Sequence, residues 1–229
     1  MLTEQRQSTK LLRIHQLLKQ LLKYYGPQNW WPADSPFEVM VGAILTQNTA
    51  WTNVVKAITQ LKARDCLTVE RMAALNLNDL ATLLRSAGYY NVKAQRLYNL
   101  CQFILEFGGV EKLDSWETDK LRLALLQVNG IGPETADDIL LYAFARPVFV
   151  VDTYTRRIGS RLGLFTQKAS YETIRALFET ALKGQTSQMN ELHALLVRHA
   201  KQSCRKFPQC IQCILKEACP GRNQGINIK

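Results

Sequence analysis

Apolar residues along this chain recur at intervals of three and four residues rather than alternating. Leu11, Leu12, Ile14, Leu17, Leu18, Leu21 and Leu22 fall on one helical stripe, which Gly26-Pro27 ends. The start signal Asp34-Ser35-Pro36 opens a second helix over 37–45. The same period predicts helices near 52–62, 68–75, 77–86, 93–107, 118–127, 133–145, 152–163, 171–182 and 188–201. The expected fold class is all-α, with no internal repeat or low-complexity linker. One segment breaks the rhythm: an apolar, strand-like run ahead of a single acid, Asp152.

Just before that run lies Val128-Asn129-Gly130-Ile131-Gly132-Pro133-Glu134-Thr135-Ala136. The two glycines permit positive φ and close backbone approach, and Pro133 and Glu134 suit a helix's first turn. Backbone N–H groups at such a terminus hold a phosphate oxygen without reading sequence. The plain alternative is an ordinary loop and helix start.

A second signal lies near the C-terminus, where Cys204, Cys210, Cys213 and Cys219 are spaced C-x5-C-x2-C-x5-C. Four thiolates this close can wrap one metal centre, and an all-sulfur set selects an iron–sulfur cluster or zinc. Zinc sites of four cysteines usually come as two C-x2-C pairs, and this chain has one. Disulfides are the bland reading, disfavoured because no secretory signal is visible. The basic neighbours Arg198, Lys201, Arg205 and Lys206 would turn cations toward a phosphate backbone.

Composition narrows the partners. Lys and Arg number 29 against 19 Asp and Glu, a net charge of +10, which favours a polyanion such as DNA over a role in solubility alone. With 229 residues and 47% hydrophobic content the chain can bury one large core or two small ones. No apolar run approaches the roughly 20 residues of a membrane span, so a cytoplasmic, nucleoid-associated monomer is expected.

These motifs, together with Leu45-Thr46-Gln47-Asn48-Thr49, Ala87-Gly88-Tyr89-Tyr90-Asn91-Val92-Lys93-Ala94 and His199, resemble the helix-hairpin-helix DNA glycosylase superfamily over nearly the whole chain. The likeness is greatest to its endonuclease III branch. It implies a six-helix barrel domain over 35–146 and a second domain from 1–34 and 147–229, with double-stranded DNA containing damaged bases bound between them. It also implies that Asp152 is the essential acid, that Gln47 fills the gap left by an extruded base, and that the four cysteines hold a [4Fe-4S] cluster. Gly130, Gly132, Glu134 and Thr135 of the hairpin, with Arg205 and Lys206, would contact DNA.

One departure redirects the expectation. Endonuclease III carries a lysine two residues past the hairpin's second glycine, whose amine attacks the sugar before strand cutting; here that position is Glu134. A carboxylate cannot form an imine. The wording around Gln47 and Glu134 looks most like 3-methyladenine DNA glycosylase III and its endonuclease III-related kin, which implies a monofunctional glycosylase acting on alkylated purines. The alternatives are a glycosylase and lyase on oxidised pyrimidines, and a non-catalytic module that binds damaged DNA. A carboxylate such as Asp152 stabilises the positive charge that develops on deoxyribose, although it also reads as a helix N-cap. Trp30, Trp31 and Trp51 are candidates for stacking on a cationic flipped base, against the plain reading of core packing.

Overall fold

The computed structural model describes residues 2–222, with the side chains of residues 2–4 and 6 excepted. Among the described residues there is no strand. The helices are α1 (Leu2–Tyr25), α2 (Pro36–Leu45), α3 (Trp51–Ala63), α4 (Val69–Ala74), α5 (Leu77–Leu83), α6 (Tyr90–Glu106), α7 (Val110–Asp114), α8 (Thr118–Gln127), α9 (Pro133–Asp138), α10 (Thr153–Arg161), α11 (Tyr171–Leu182) and α12 (Thr186–Gln202). Two compact units result: one holds residues 31–146, the other the described residues of 1–30 and 147–229.

The first unit is organised around α2, whose residues Phe37–Leu45 are all buried. A helix apolar on every side must lie inside other helices, and α3, α6 and α9 pack on it. Its start is fixed locally: Ser35 accepts the Glu38 N–H at 3.2 Å, and Pro36 tolerates the first position. Such a cap is worth about 1 kcal/mol. Buried Glu38 accepts the Asp34 N–H at 3.0 Å and pairs with Lys62 at 2.8 Å, which anchors α2 to α3. After α9 the helical run widens into a π-helix over Ile139–Ala143, closed by Arg146 N–H donating to Leu140 O at 2.8 Å.

In the second unit α1 lays Ile14, Leu17, Leu18 and Leu21 against α11 and α12, and α10 packs on α12. The apolar run ahead of Asp152 is extended and deeply buried from Val148 to Val151, but it pairs with no strand. A buried backbone without a ladder needs other partners. Phe149 N–H donates to Glu179 Oε1 at 3.0 Å and Val151 N–H to Tyr171 Oη at 3.4 Å, so side chains of α11 stand in for a neighbouring strand.

Candidate functional site

Asp152 caps α10. Its Oδ1 accepts the Thr155 N–H at 2.6 Å, and its Oδ2 faces His193 Nε2 of α12 at 3.7 Å. The residue is 8% exposed. Burial alone would raise its pKa, but His193 and the Thr155 N–H outweigh burial and the carboxyl titrates below its ordinary value. It is therefore a carboxylate at neutral pH. Phe149 stacks on Phe178 at 4.2 Å between centroids and meets His193 edge-on, so the approach to Asp152 is rigidly packed.

The hairpin joins α8 to α9. Gly130 has φ +98°, and a Cβ there would lie 2.2 Å from Arg96 Cγ, so both conformation and space demand glycine. Gly132 does not match the expectation of positive φ. It adopts φ −94°, ψ 179° as the N-cap of α9, and a Cβ on it would meet nothing within 4 Å. Pro133 and exposed Glu134 occupy the first turn. Beneath them Arg122 donates to Asp137 through Nε at 2.6 Å and Nη2 at 3.1 Å, a buried bidentate pair that locks α8 to α9.

Gln47 is held against this hairpin. Its Nε2 donates to Gly130 O at 3.1 Å and to Thr135 Oγ1 at 2.8 Å, while its Oε1 accepts from Arg96 Nη1. Thr135 is buried, so what it turns outward is not its hydroxyl. Nearby, Lys93 is 1% exposed and its Nζ donates to Leu45 O at 2.8 Å, Thr49 Oγ1 at 2.6 Å and Ala87 O at 2.9 Å. This clamp binds the loop carrying Gln47 to the turn carrying Tyr89, an aromatic residue 72% exposed at φ +46°. Burial and then the Arg96 guanidinium push the Lys93 pKa down to about 8. Lys93, Arg96, Arg122 and His193 were all missed as site residues by sequence reasoning. Lys93 left one signal, a lysine at a helical interval from Leu97, Leu100 and Ile104 on an otherwise apolar stripe.

Of the tryptophans, Trp31 meets Trp51 edge-on at 5.2 Å and Tyr142 at 5.3 Å, and its ring presses on Gly42. Trp30 is half-buried in the preceding position.

Cys204, Cys210, Cys213 and Cys219 line one cavity, walled by Ile158, Leu162 and Leu215. Arg161 Nη1 donates to Cys204 Sγ at 3.3 Å. His199 Nδ1 bonds Tyr25 Oη at 2.9 Å and its Nε2 lies 3.6 Å from Cys213 Sγ. Burial pushes the His199 pKa down to about 4, so the ring is neutral at neutral pH and bridges Tyr25 Oη and Cys213 Sγ. Burial raises the Cys213 and Cys219 pKa values, and the other cysteines raise them further. Four sulfurs that repel one another as thiolates fit a cationic soft centre, which would stabilise them together. Arg205 and Lys206 are exposed on the same loop, where their carbonyls accept from Arg161.

A hairpin of this build, followed by a buried carboxylate at a helix cap, defines an all-α DNA-repair glycosylase. The chain belongs to the HhH-GPD superfamily of base excision DNA repair proteins, whose family model matches residues 41–183. It is 48% identical to MJ1434 of Methanocaldococcus jannaschii, a candidate DNA repair glycosylase, over 92% of this chain and 97% of that protein. It is 30% identical to endonuclease III of Sulfolobus acidocaldarius, over 80% of this chain and 81% of the relative. The crystal structure of Helicobacter pylori 3-methyladenine DNA glycosylase (MagIII) bound to 1,N6-ethenoadenine matches with a TM-score of 0.73 at 30% identity, covering 84% of this chain and 97% of the other. No described helix is long and apolar enough to cross a membrane.

Proposed function

We propose that this DNA glycosylase is monofunctional and releases alkylated purines such as 3-methyladenine by hydrolysis. The observation that carries the reading is Glu134, an exposed carboxylate in the first turn of α9 where a lyase needs an amine. Lys93 does not replace that amine, because it is buried and triply bonded. The likeness to MagIII supports the choice of substrate.

In this reading Asp152 is the catalytic carboxylate. Its Oδ1 is engaged by the helix cap, which leaves Oδ2 to stabilise positive charge growing at C1′. Water adds to C1′ and passes a proton to the carboxylate or to solvent, while the C1′–N bond breaks and its electron pair leaves with the base. An alkylated purine already carries positive charge, so it departs neutral without a general acid. Trp31, Trp51 and Tyr142 offer aromatic faces for such a cation. The backbone N–H groups of Gly130, Gly132, Glu134 and Thr135 contact phosphate and Gln47 enters the vacated stack. The four cysteines hold a [4Fe-4S] cluster that stiffens the loop carrying Arg205 and Lys206.

Chromatography of bases released from methylated and from oxidised duplex DNA tests the proposal, with borohydride trapping on abasic DNA alongside. Release of 3-methyladenine without a trapped crosslink is expected, and Asp152→Asn should abolish it while DNA affinity persists. Release of oxidised pyrimidines with a trapped imine would place the activity with endonuclease III instead. Broad visible absorbance with about four iron atoms per chain identifies the cluster; stoichiometric zinc without that absorbance would refute it.

A further inference from the structure

We propose that His193 is the positioning residue for Asp152, fixing the direction of the Oδ2 lone pairs toward the reacting sugar. This rests on the reading of Asp152 as the catalytic carboxylate. The helix cap constrains only one end of the carboxyl group, since Thr155 N–H engages Oδ1. Rotation about the terminal side-chain torsion is broad for aspartate, so one hydrogen bond leaves the second oxygen poorly directed. His193 Nε2 is the group that faces that oxygen, at 3.7 Å, with both side chains about nine-tenths buried or more.

The distance is within ion-pair reach and just beyond hydrogen-bond length. In the free protein His193 thus stands beside Oδ2 without a hydrogen bond of ordinary length. A movement of under roughly 1 Å would close the contact when negative charge on the carboxylate has to be held in place. The imidazole is itself supported. Phe149 meets it edge-on and is stacked on Phe178, and the Phe149 backbone N–H is tied to Glu179. The histidine and the segment delivering Asp152 thus form one packed assembly built from α10, α11 and α12.

Asp152 faces His193, and on α11, Glu179 and Tyr171 bond backbone N–H groups of the extended segment that leads to Asp152. Glu179 is further paired with Arg175 at 3.3 Å. Asp152 Oδ2 lies within ion-pair reach of the ring. Loss of His193 removes one of the influences that hold the Asp152 pKa down.

The test is single-turnover base release from methylated duplex DNA, and in parallel from oxidised duplex, by the full chain and five variants, four at His193 and Asp152→Asn. His193→Ala should slow release roughly 100-fold at saturating enzyme, the scale on which a misplaced reacting group costs rate, with DNA affinity unchanged. The acid limb of its pH–rate profile should move to higher pH. His193→Gln and His193→Asn, which keep a donor, should recover much of the rate, whereas His193→Phe, which keeps the ring shape without a donor, should not. Full activity in His193→Ala, or recovery in His193→Phe, would overturn the assignment and leave the ring a packing element. Activity in Asp152→Asn would instead sink the underlying reading. Thermal melting of each variant separates lost rate from lost fold.

Discussion

A single buried lysine shows how residue chemistry shapes the binding edge of this protein. An ammonium has three N–H bonds, and Lys93 meets three acceptors, from Leu45, Thr49 and Ala87. Burial nevertheless penalises the charge, and the folded pKa of about 8 lies below the ordinary lysine value of 10.5. The sign follows from proton binding. Between those two values the unfolded chain holds a proton that the folded chain lacks, so stability rises with pH across the window, and the full penalty is present below about pH 8. Urea unfolding from pH 8 to 10.5 should show this slope, and its absence in Lys93→Met would tie it to Lys93. The same substitution should loosen Gln47 and Tyr89 together, because the clamp joins their loops. Gln47 illustrates the reverse situation: to enter a duplex it must first leave Arg96, Gly130 and Thr135.

At the scale of elements, the hairpin's two glycines have different physical origins. Gly130→Ala meets Arg96 and forces a left-handed conformation on a residue with a Cβ, so it should destabilise by about 1–3 kcal/mol. Gly132→Ala fits the chain as it stands and should change stability by less than about 0.5 kcal/mol, yet weaken DNA binding if a phosphate packs on that Cα. Melting temperature and duplex affinity, measured on both variants, distinguish a glycine required by the fold from one required by the partner. The cysteine loop behaves as a second such element. The loop itself offers short 3-10 turns and one buried leucine, Leu215, and otherwise rests on Ile158 and Leu162 and on hydrogen bonds from Arg161, so a bound metal centre would add to its stability. Cys213→Ser should lower the visible absorbance, the iron content and the melting temperature in parallel. Loss of iron with an unchanged melting temperature would show that the loop is folded by other contacts.

Across the whole molecule, a net charge of +10 makes duplex affinity steeply salt-dependent. Each phosphate neutralised contributes about 0.9 to the slope of log affinity against log salt. Replacing Arg205 and Lys206 with glutamine should therefore reduce that slope by up to about 2, while the single-turnover rate at saturating enzyme stays unchanged. An unaltered slope would remove the cysteine loop from the DNA-contacting surface. The absence of strands among the described residues also bears on Asp152, since its extended approach borrows hydrogen bonds from Glu179 and Tyr171 rather than from a sheet. Precision at that carboxylate thus depends on side chains of another helix.

The helices were legible in the sequence because local periodicity and capping chemistry act over a few residues. Ser35 and Pro36 start α2 as expected, and the 118–127 and 171–182 spans match α8 and α11. The cysteine motif and the Gly130–Glu134 turn were legible for the same reason, as were Asp152's cap and the family itself. The strand-like run ahead of Asp152 is extended and buried as expected, but apolar content does not say which partner supplies its hydrogen bonds. Tertiary structure alone decided the contacts that join distant positions. Gln47 meets Gly130 across 83 residues of chain, and Asp152 meets His193 only because α10 packs on α12. A local pattern records which face of a helix is buried, whereas the identity of the group buried against it is set by how the helices pack.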